Sequence, residues 1–176
     1  MSGARSAEAR AIQLLEETYT GGPPVPVEEI AAARGAQLTY DAFDGDVSGL
    51  LYRDKDRVVI GVNSTHAPTR QRFTIAHELG HLLIHKGQPV FVDRLVRMNL
   101  RDGSSSDEEV DANAFAASLL MPRDLILQAI NGVFERTPRI GPGDLADELS
   151  GTFRVSPEAM RYRLENLGIV DPGTAS

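Results

Sequence analysis

Arg72-Phe73-Thr74-Ile75-Ala76-His77-Glu78-Leu79-Gly80-His81-Leu82-Leu83-Ile84-His85 contains the pattern H-E-x-x-H. On an α-helix, residues four apart stand one turn above each other on the same face, so His77 and His81 can offer two imidazoles to one ion. Glu78 lies about a quarter-turn away, poorly aimed for a third ligand but close enough to act as general base on water at the site. Ile75, Ala76, Leu79, Gly80, Leu82, Leu83 and Ile84 are all uncharged, which describes a helix packed on most sides. Burying two histidines and a glutamate there without partners would cost on the order of several kcal/mol. A metal satisfies all three together, whereas an amphipathic helix with an incidental polar stripe leaves that cost unmet.

The 176 residues suffice for one substantial domain, or a domain with a small appendage. Apolar content of 41% and charged content of 24% are ordinary for a soluble globular protein. A net charge of −7 gives no general attraction to nucleic acid or to an anionic membrane. The absence of cysteine excludes disulfides, thiolate metal sites and cysteine nucleophiles, so a metal here must be held by His, Asp, Glu and water. The polar N-terminus lacks the apolar core of a signal peptide, and no apolar run approaches membrane-spanning length. A cytoplasmic protein with no membrane partner is the expectation.

Outward from the motif, residues 7–20 and 27–34 have amphipathic helical spacing, the second with Val27, Ile30 and Ala31 inward. Runs at 36–41, 47–53 and 57–63 are strand-like and separated by turn-rich Asp44-Gly45-Asp46 and Asp54-Lys55-Asp56, which predicts a small antiparallel sheet of about three strands. Ser64 or Thr65 is expected to cap the motif helix, with Pro68 in its first turn and Gly87 ending it. Residues 88–100 are ambiguous between strand, loop and short helix, and 101–106 read as a flexible, solvated loop. A strong helix at 107–121 is expected to place Val110, Ala114, Ala117, Leu120 and Met121 in the core, its small residues allowing close approach to Gly80. Further helices are predicted at 123–131, 144–149 and 156–167, with a frayed tail from residue 171. The Gly/Pro-rich link at 137–143 marks the internal boundary: a mainly helical, zincin-like core over 1–136 and a helix-turn-helix-like extension over 137–176, α+β in class.

A catalytic zinc site requires three protein ligands plus water, and two histidines with a glutamate are an established set. Glu109 is the favoured third ligand, because Asn113 then lies one turn along the same face and can hydrogen-bond a metal-binding histidine from behind. Ser106-x-x-Glu109 is also a capping box, which would occupy the same carboxylate, so Glu108 and Asp111 stay open as alternatives. His85 sits too far along the helix to grip the same ion and reads as a helix-terminal imidazole beside the last carbonyls, with transition-state stabilisation as the alternative. His66 reads as a surface residue, and Tyr40, Tyr52 and Tyr162 are unranked oxyanion donors. The chemistry expected is metal-assisted hydrolysis of an amide, with Glu78 taking a proton from water and returning it to the leaving amine. The sheet before the motif could receive an extended peptide as an added strand.

The motif block, taken with Glu109-Val110-Asp111-Ala112-Asn113-Ala114-Phe115-Ala116-Ala117-Ser118-Leu119-Leu120-Met121-Pro122, resembles the ImmA/IrrE family of bacterial metallopeptidases. With Ile60-Gly61-Val62-Asn63 upstream, the likeness spans about residues 12–170. The resemblance implies a gluzincin-like zinc endopeptidase, with manganese as an alternative metal, that cleaves helix-turn-helix repressors in a stress or mobile-element response. His77, His81 and Glu109 match the family's ligands and Glu78 its base, while Asp111 stands where the family often has Glu. Members with a sensor domain carry it after the peptidase, and this chain is expected to lack one. Residues 145–164 look like a helix-turn-helix, yet Arg136, Arg139, Arg154, Arg161 and Arg163 are offset by Glu135, Asp144, Asp147, Glu148 and Glu158. That balance favours support or partner docking over direct DNA binding. A non-proteolytic, antitoxin-like metal-binding regulator is the rival reading.

Overall fold

The structure, a computed structural model, describes residues 2–44, 46–85, 90–94 and 107–172. The stretches expected at 101–106 and most of 88–100, the capping residue Ser106 and the helix stop Gly87 lie outside the described residues. The elements are α1 (Ser2–Thr18), α2 (Val27–Ala33), β1 (Ala36–Asp41), β2 (Val47–Arg53), β3 (Val58–Asn63), α3 (Pro68–Ile84), β4 (Val90–Arg94), α4 (Asp107–Leu120), α5 (Arg123–Arg136), α6 (Pro142–Phe153) and α7 (Pro157–Asn166). The class is α+β, as expected. Strand positions match the sequence closely, because each run is rich in β-branched or other apolar residues and the turn-forming segments 44–46 and 54–56 separate them.

The pairing of the strands differs from expectation. Among the described residues the sheet has four strands in the order β1-β3-β2-β4, and β1 runs parallel to β3 while β2 pairs antiparallel with both β3 and β4. The sheet is therefore mixed rather than purely antiparallel. β1 and β2 are consecutive in sequence but are not neighbours, because β3 lies between them. Buried Asn63 fastens this crossover: its Nδ2 donates to Val47 O at 2.8 Å, and its Oδ1 accepts from Thr65 N at 3.1 Å and Thr65 Oγ1 at 2.7 Å. Thr65 is thereby engaged away from the helix, and neither it nor Ser64 caps α3. The N-cap is Ala67, without a side-chain bond, followed by Pro68 in the first turn.

α3 runs through the centre of the molecule, with Arg72 and every residue from Thr74 to His81 buried. Arg72 anchors its first half, donating to Val25 O at 2.7 Å and pairing with Glu28 at 3.4 Å. Burial pushes the Arg72 pKa down, and the Glu28 carboxylate opposes that shift. One face of α3 meets the sheet and another meets α4, whose core side is Ala112, Phe115, Ala116 and Leu119. The expected face was rotated from this: Val110 is 39% exposed, and Ala114 and Ala117 are only partly buried, although Leu120 and Met121 are buried as expected. α4 is so rich in alanine that its sequence has no single apolar stripe, and the choice of face falls to the neighbours it packs between, α1 and α3.

α5 and α6 are longer than predicted, while α7 falls within its expected range. α5 continues to Arg136, and α6 starts at Pro142 and reaches Phe153. Arg154, in the left-handed region at φ 52, then turns the chain, and Ser156 Oγ caps α7 by accepting from Ala159 N at 3.1 Å. α7 is tied to the rest through buried Arg163, which donates to Met121 O at 3.2 Å and to Glu8 Oε1 at 2.9 Å, so one guanidinium joins α7, α1 and the end of α4. Replacing Arg163 by Ala leaves the Met121 carbonyl without its buried donor and removes a charged hydrogen bond. A loss of about 2 kcal/mol is expected, read as a lower denaturant midpoint with an unchanged slope.

Candidate metal centre

His77 and His81 are 3% and 1% exposed, and their rings meet edge to face with Nε2 atoms 3.1 Å apart. Glu109 reaches them from α4, with Oε2 3.2 Å from His77 Nε2 and Oε1 3.3 Å from His81 Nε2. The contacts with His77 first and His81 second hold the Glu109 carboxyl far below the usual carboxylate range. The facing helices come this close because Gly80 has no side chain: a Cβ there would stand 3.1 Å from Ala112 Cα and 3.3 Å from Ala112 O. The expected close approach at Gly80 is thus made by Ala112.

These three donors fit a tetrahedral divalent ion. Nitrogen and oxygen ligands at 2.0–2.1 Å from a zinc ion, spread at tetrahedral angles, stand about 3.3 Å from one another. The separations of 3.1, 3.2 and 3.3 Å agree with that spacing. Among the described residues, His77, His81 and Glu109 form the one group of three or more His, Asp or Glu side chains suited to hold a metal. Asn113 Oδ1 lies 3.1 Å from His77 Nδ1. An amide oxygen only accepts, so that contact puts the proton on Nδ1 and leaves the Nε2 lone pair facing Glu109.

The other candidate ligands point elsewhere. Asp111 is turned toward α1, where a Cβ on Gly3 would stand 2.6 Å from its Oδ1, and Glu108 is exposed. His66 lies half-buried in the turn before α3, and Tyr40, Tyr52 and Tyr162 are exposed. His85 was expected beside the last carbonyls of α3. Its backbone N does bond His81 O at 3.1 Å, but its ring lies on His81, with the two Nδ1 atoms 3.0 Å apart. Burial, and then His81, push the His85 pKa down, against the nearby acids of α4.

Glu78 is fully buried, on the side of α3 that meets β2. A Cβ on Gly49 would stand 3.4 Å from Glu78 Oε1 and 2.3 Å from Thr74 Cγ2, so glycine at this strand position makes room for both side chains. β2 is bulged beside it: Val47 faces Arg94 and Gly49 faces Asp93, leaving Ser48 as an extra residue. Buried Ser48 Oγ accepts from Arg70 Nη2 at 2.8 Å, which pins the bulge to α3. Ser48, Gly49 and Arg70 had no place in the site read from sequence. The signal available was a glycine inside an otherwise regular strand.

Fold and donor set together describe an α+β protein with a candidate metal centre between two helices. Residues 31–165 match the Peptidase_M78 family, the IrrE N-terminal-like domain, and the chain belongs to that family. It is 31% identical over 114 residues to the radiation response metalloprotease IrrE of Deinococcus radiodurans, covering 63% of this chain and 32% of that protein. It is 29% identical over 155 residues to the metallopeptidase ImmA of Bacillus subtilis, covering 81% of this chain and 83% of that one. With IrrE of Deinococcus deserti the identity is 34% over 117 residues, 63% of this chain and 37% of that protein. The chain therefore spans about a third of the length of the two IrrE proteins. A Mycobacterium tuberculosis transcriptional regulator has a similar fold, with a TM-score of 0.57 and 20% identity over 97% of this chain and 49% of that one. No helix among the described residues is long and apolar enough to cross a membrane.

Proposed function

We propose that this chain is a zinc-dependent endopeptidase that cleaves a helix-turn-helix transcriptional repressor at a defined site, in a stress or mobile-element response. The observation that carries the reading is the convergence of His77, His81 and Glu109 at ligand spacing beside buried Glu78. His77, His81 and Glu109 would hold zinc, or manganese in its place. A divalent cation bound there supplies Lewis-acid polarisation of a water molecule and of the scissile carbonyl. Glu78 takes the proton from that water and gives it to the leaving amine, and the bulge at Ser48 and Gly49 sets the strand against its carboxylate. Asn113 holds the His77 tautomer.

The sheet supports a refined version of the peptide site. β2, the strand against Glu78, is paired on both edges, and among the described residues β4 is the outer strand on that side of the sheet, so an extended substrate would add along its outer edge. Residues 1–136 form the peptidase core in this reading, and 137–176 a helical extension that docks partners rather than DNA. The arginines of α7 support that assignment: Arg161 pairs with Asp147 and Arg163 is buried on Glu8, while exposed positions of the same helix carry Glu158 and Tyr162. A cytoplasmic location follows from a repressor substrate.

The test is incubation of zinc-loaded protein with the helix-turn-helix repressor encoded nearest its gene. One cut, abolished by a chelator and restored by zinc, is the expected result. Stable zinc binding with an intact repressor would favour the non-proteolytic regulator instead.

A further inference from the structure

A histidine that binds a metal through Nε2 must carry its proton on Nδ1, and the atom that accepts that proton fixes both tautomer and ring direction. Asn113 does this for His77. His81 Nδ1 has a different neighbour, the His85 ring, with Nδ1 to Nδ1 at 3.0 Å and ring centroids 5.0 Å apart. Two neutral imidazoles meeting through one nitrogen each share a single proton. If His85 donates it, His81 must be protonated on Nε2, the atom 3.3 Å from Glu109, and cannot be a ligand. If His81 donates, its Nε2 lone pair faces Glu109 and His77.

We propose that His85 is a positioning residue that accepts from His81 Nδ1–H and holds His81 in the Nε2-ligating tautomer, an inference that rests on the zinc reading above. The backbone explains how a residue one turn along the same helix does this. His85 is the C-cap of α3 with φ −98 and ψ 113, an extended conformation that ends the helix and lets the ring lie back over the preceding turn. Its amide still bonds His81 O at 3.1 Å, so amide and ring of one residue both hold His81. Among the described residues the other ring nitrogen of His85, Nε2, is buried and makes no hydrogen bond, so the ring has no competing polar partner. The two metal-facing histidines are thus set from different elements, His77 by α4 and His81 by the end of its own helix.

Wild type, His85→Leu and His85→Gln decide the matter. Leucine keeps bulk but accepts nothing, whereas glutamine offers an amide oxygen to Nδ1–H. Zinc affinity is measured by competition with a chromophoric chelator, alongside the visible absorption of the cobalt-substituted protein and the melting temperature of the metal-free protein. His85→Leu is expected to weaken zinc binding about 10- to 100-fold and to alter the cobalt spectrum, and His85→Gln to restore most of both. A role in helix-end packing alone would lower the metal-free melting temperature and leave the affinity in place. Wild-type affinity in His85→Leu, or equal losses in both variants, overturns the proposal while the zinc reading stands. No zinc binding by the wild type overturns both. His85→Ala replaces His85→Leu should the latter not fold.

Discussion

Glu78→Gln is expected to retain zinc at wild-type stoichiometry and to cleave about 10²- to 10⁴-fold more slowly, the range over which a positioned general base contributes. Glutamine has the size and shape of glutamate, so it fits against Gly49 and Thr74 without repacking the interface of α3 and β2. Only the proton acceptor is lost. The measurement pairs elemental analysis of the purified variant with single-turnover cleavage of the repressor. Undiminished cleavage with zinc in place would remove Glu78 from the mechanism. Loss of zinc would give it a part in holding the metal that its quarter-turn offset from His77 argues against.

The features legible in the sequence are those decided within a few residues. His77, Glu78 and His81 come from one helical period, and the strand limits at Ala36, Val47 and Asn63 coincide with changes of pattern. Strand order was not legible, because the insertion of β3 between β1 and β2 depends on a crossover and on Asn63 contacts 16 residues away in sequence. The face of α4 escaped for a related reason: Val110 is the more apolar residue, yet the close approach to Gly80 admits only the small Ala112. The orientation of the His85 ring depends on the ψ angle at a helix end, which no periodicity encodes. The bulge at Ser48 needed the partner strand β4, whose position the ambiguous stretch after the motif helix concealed. Local chemistry was therefore visible before the fold, while the groups that aim it came from pairing and helix packing.

Glu109 joins these two levels, and its replacement should have the largest effect on metal binding. Glu109→Ala removes one of the three donors, so zinc affinity is expected to fall by more than about 100-fold, beyond the 10–100-fold typical of partners outside the ligand set, with cleavage lost alongside it. Glu108→Ala and Asp111→Ala serve as controls from the same turn of α4. Glu108 is exposed and Asp111 lies against Gly3, so both should bind zinc as the wild type does. The competing role for Glu109 is as the acidic member of a capping box at the start of α4. A cap contributes about 1 kcal/mol to helix stability, so under that role Glu109→Ala would lower the melting temperature of metal-free protein and leave zinc affinity unchanged. The placement of both Glu109 oxygens on the histidine Nε2 atoms, at 3.2 and 3.3 Å, favours the ligand. Competition titration of the three variants against a zinc chelator separates the roles, because only the ligand reading has one variant lose affinity while its two acidic neighbours keep it.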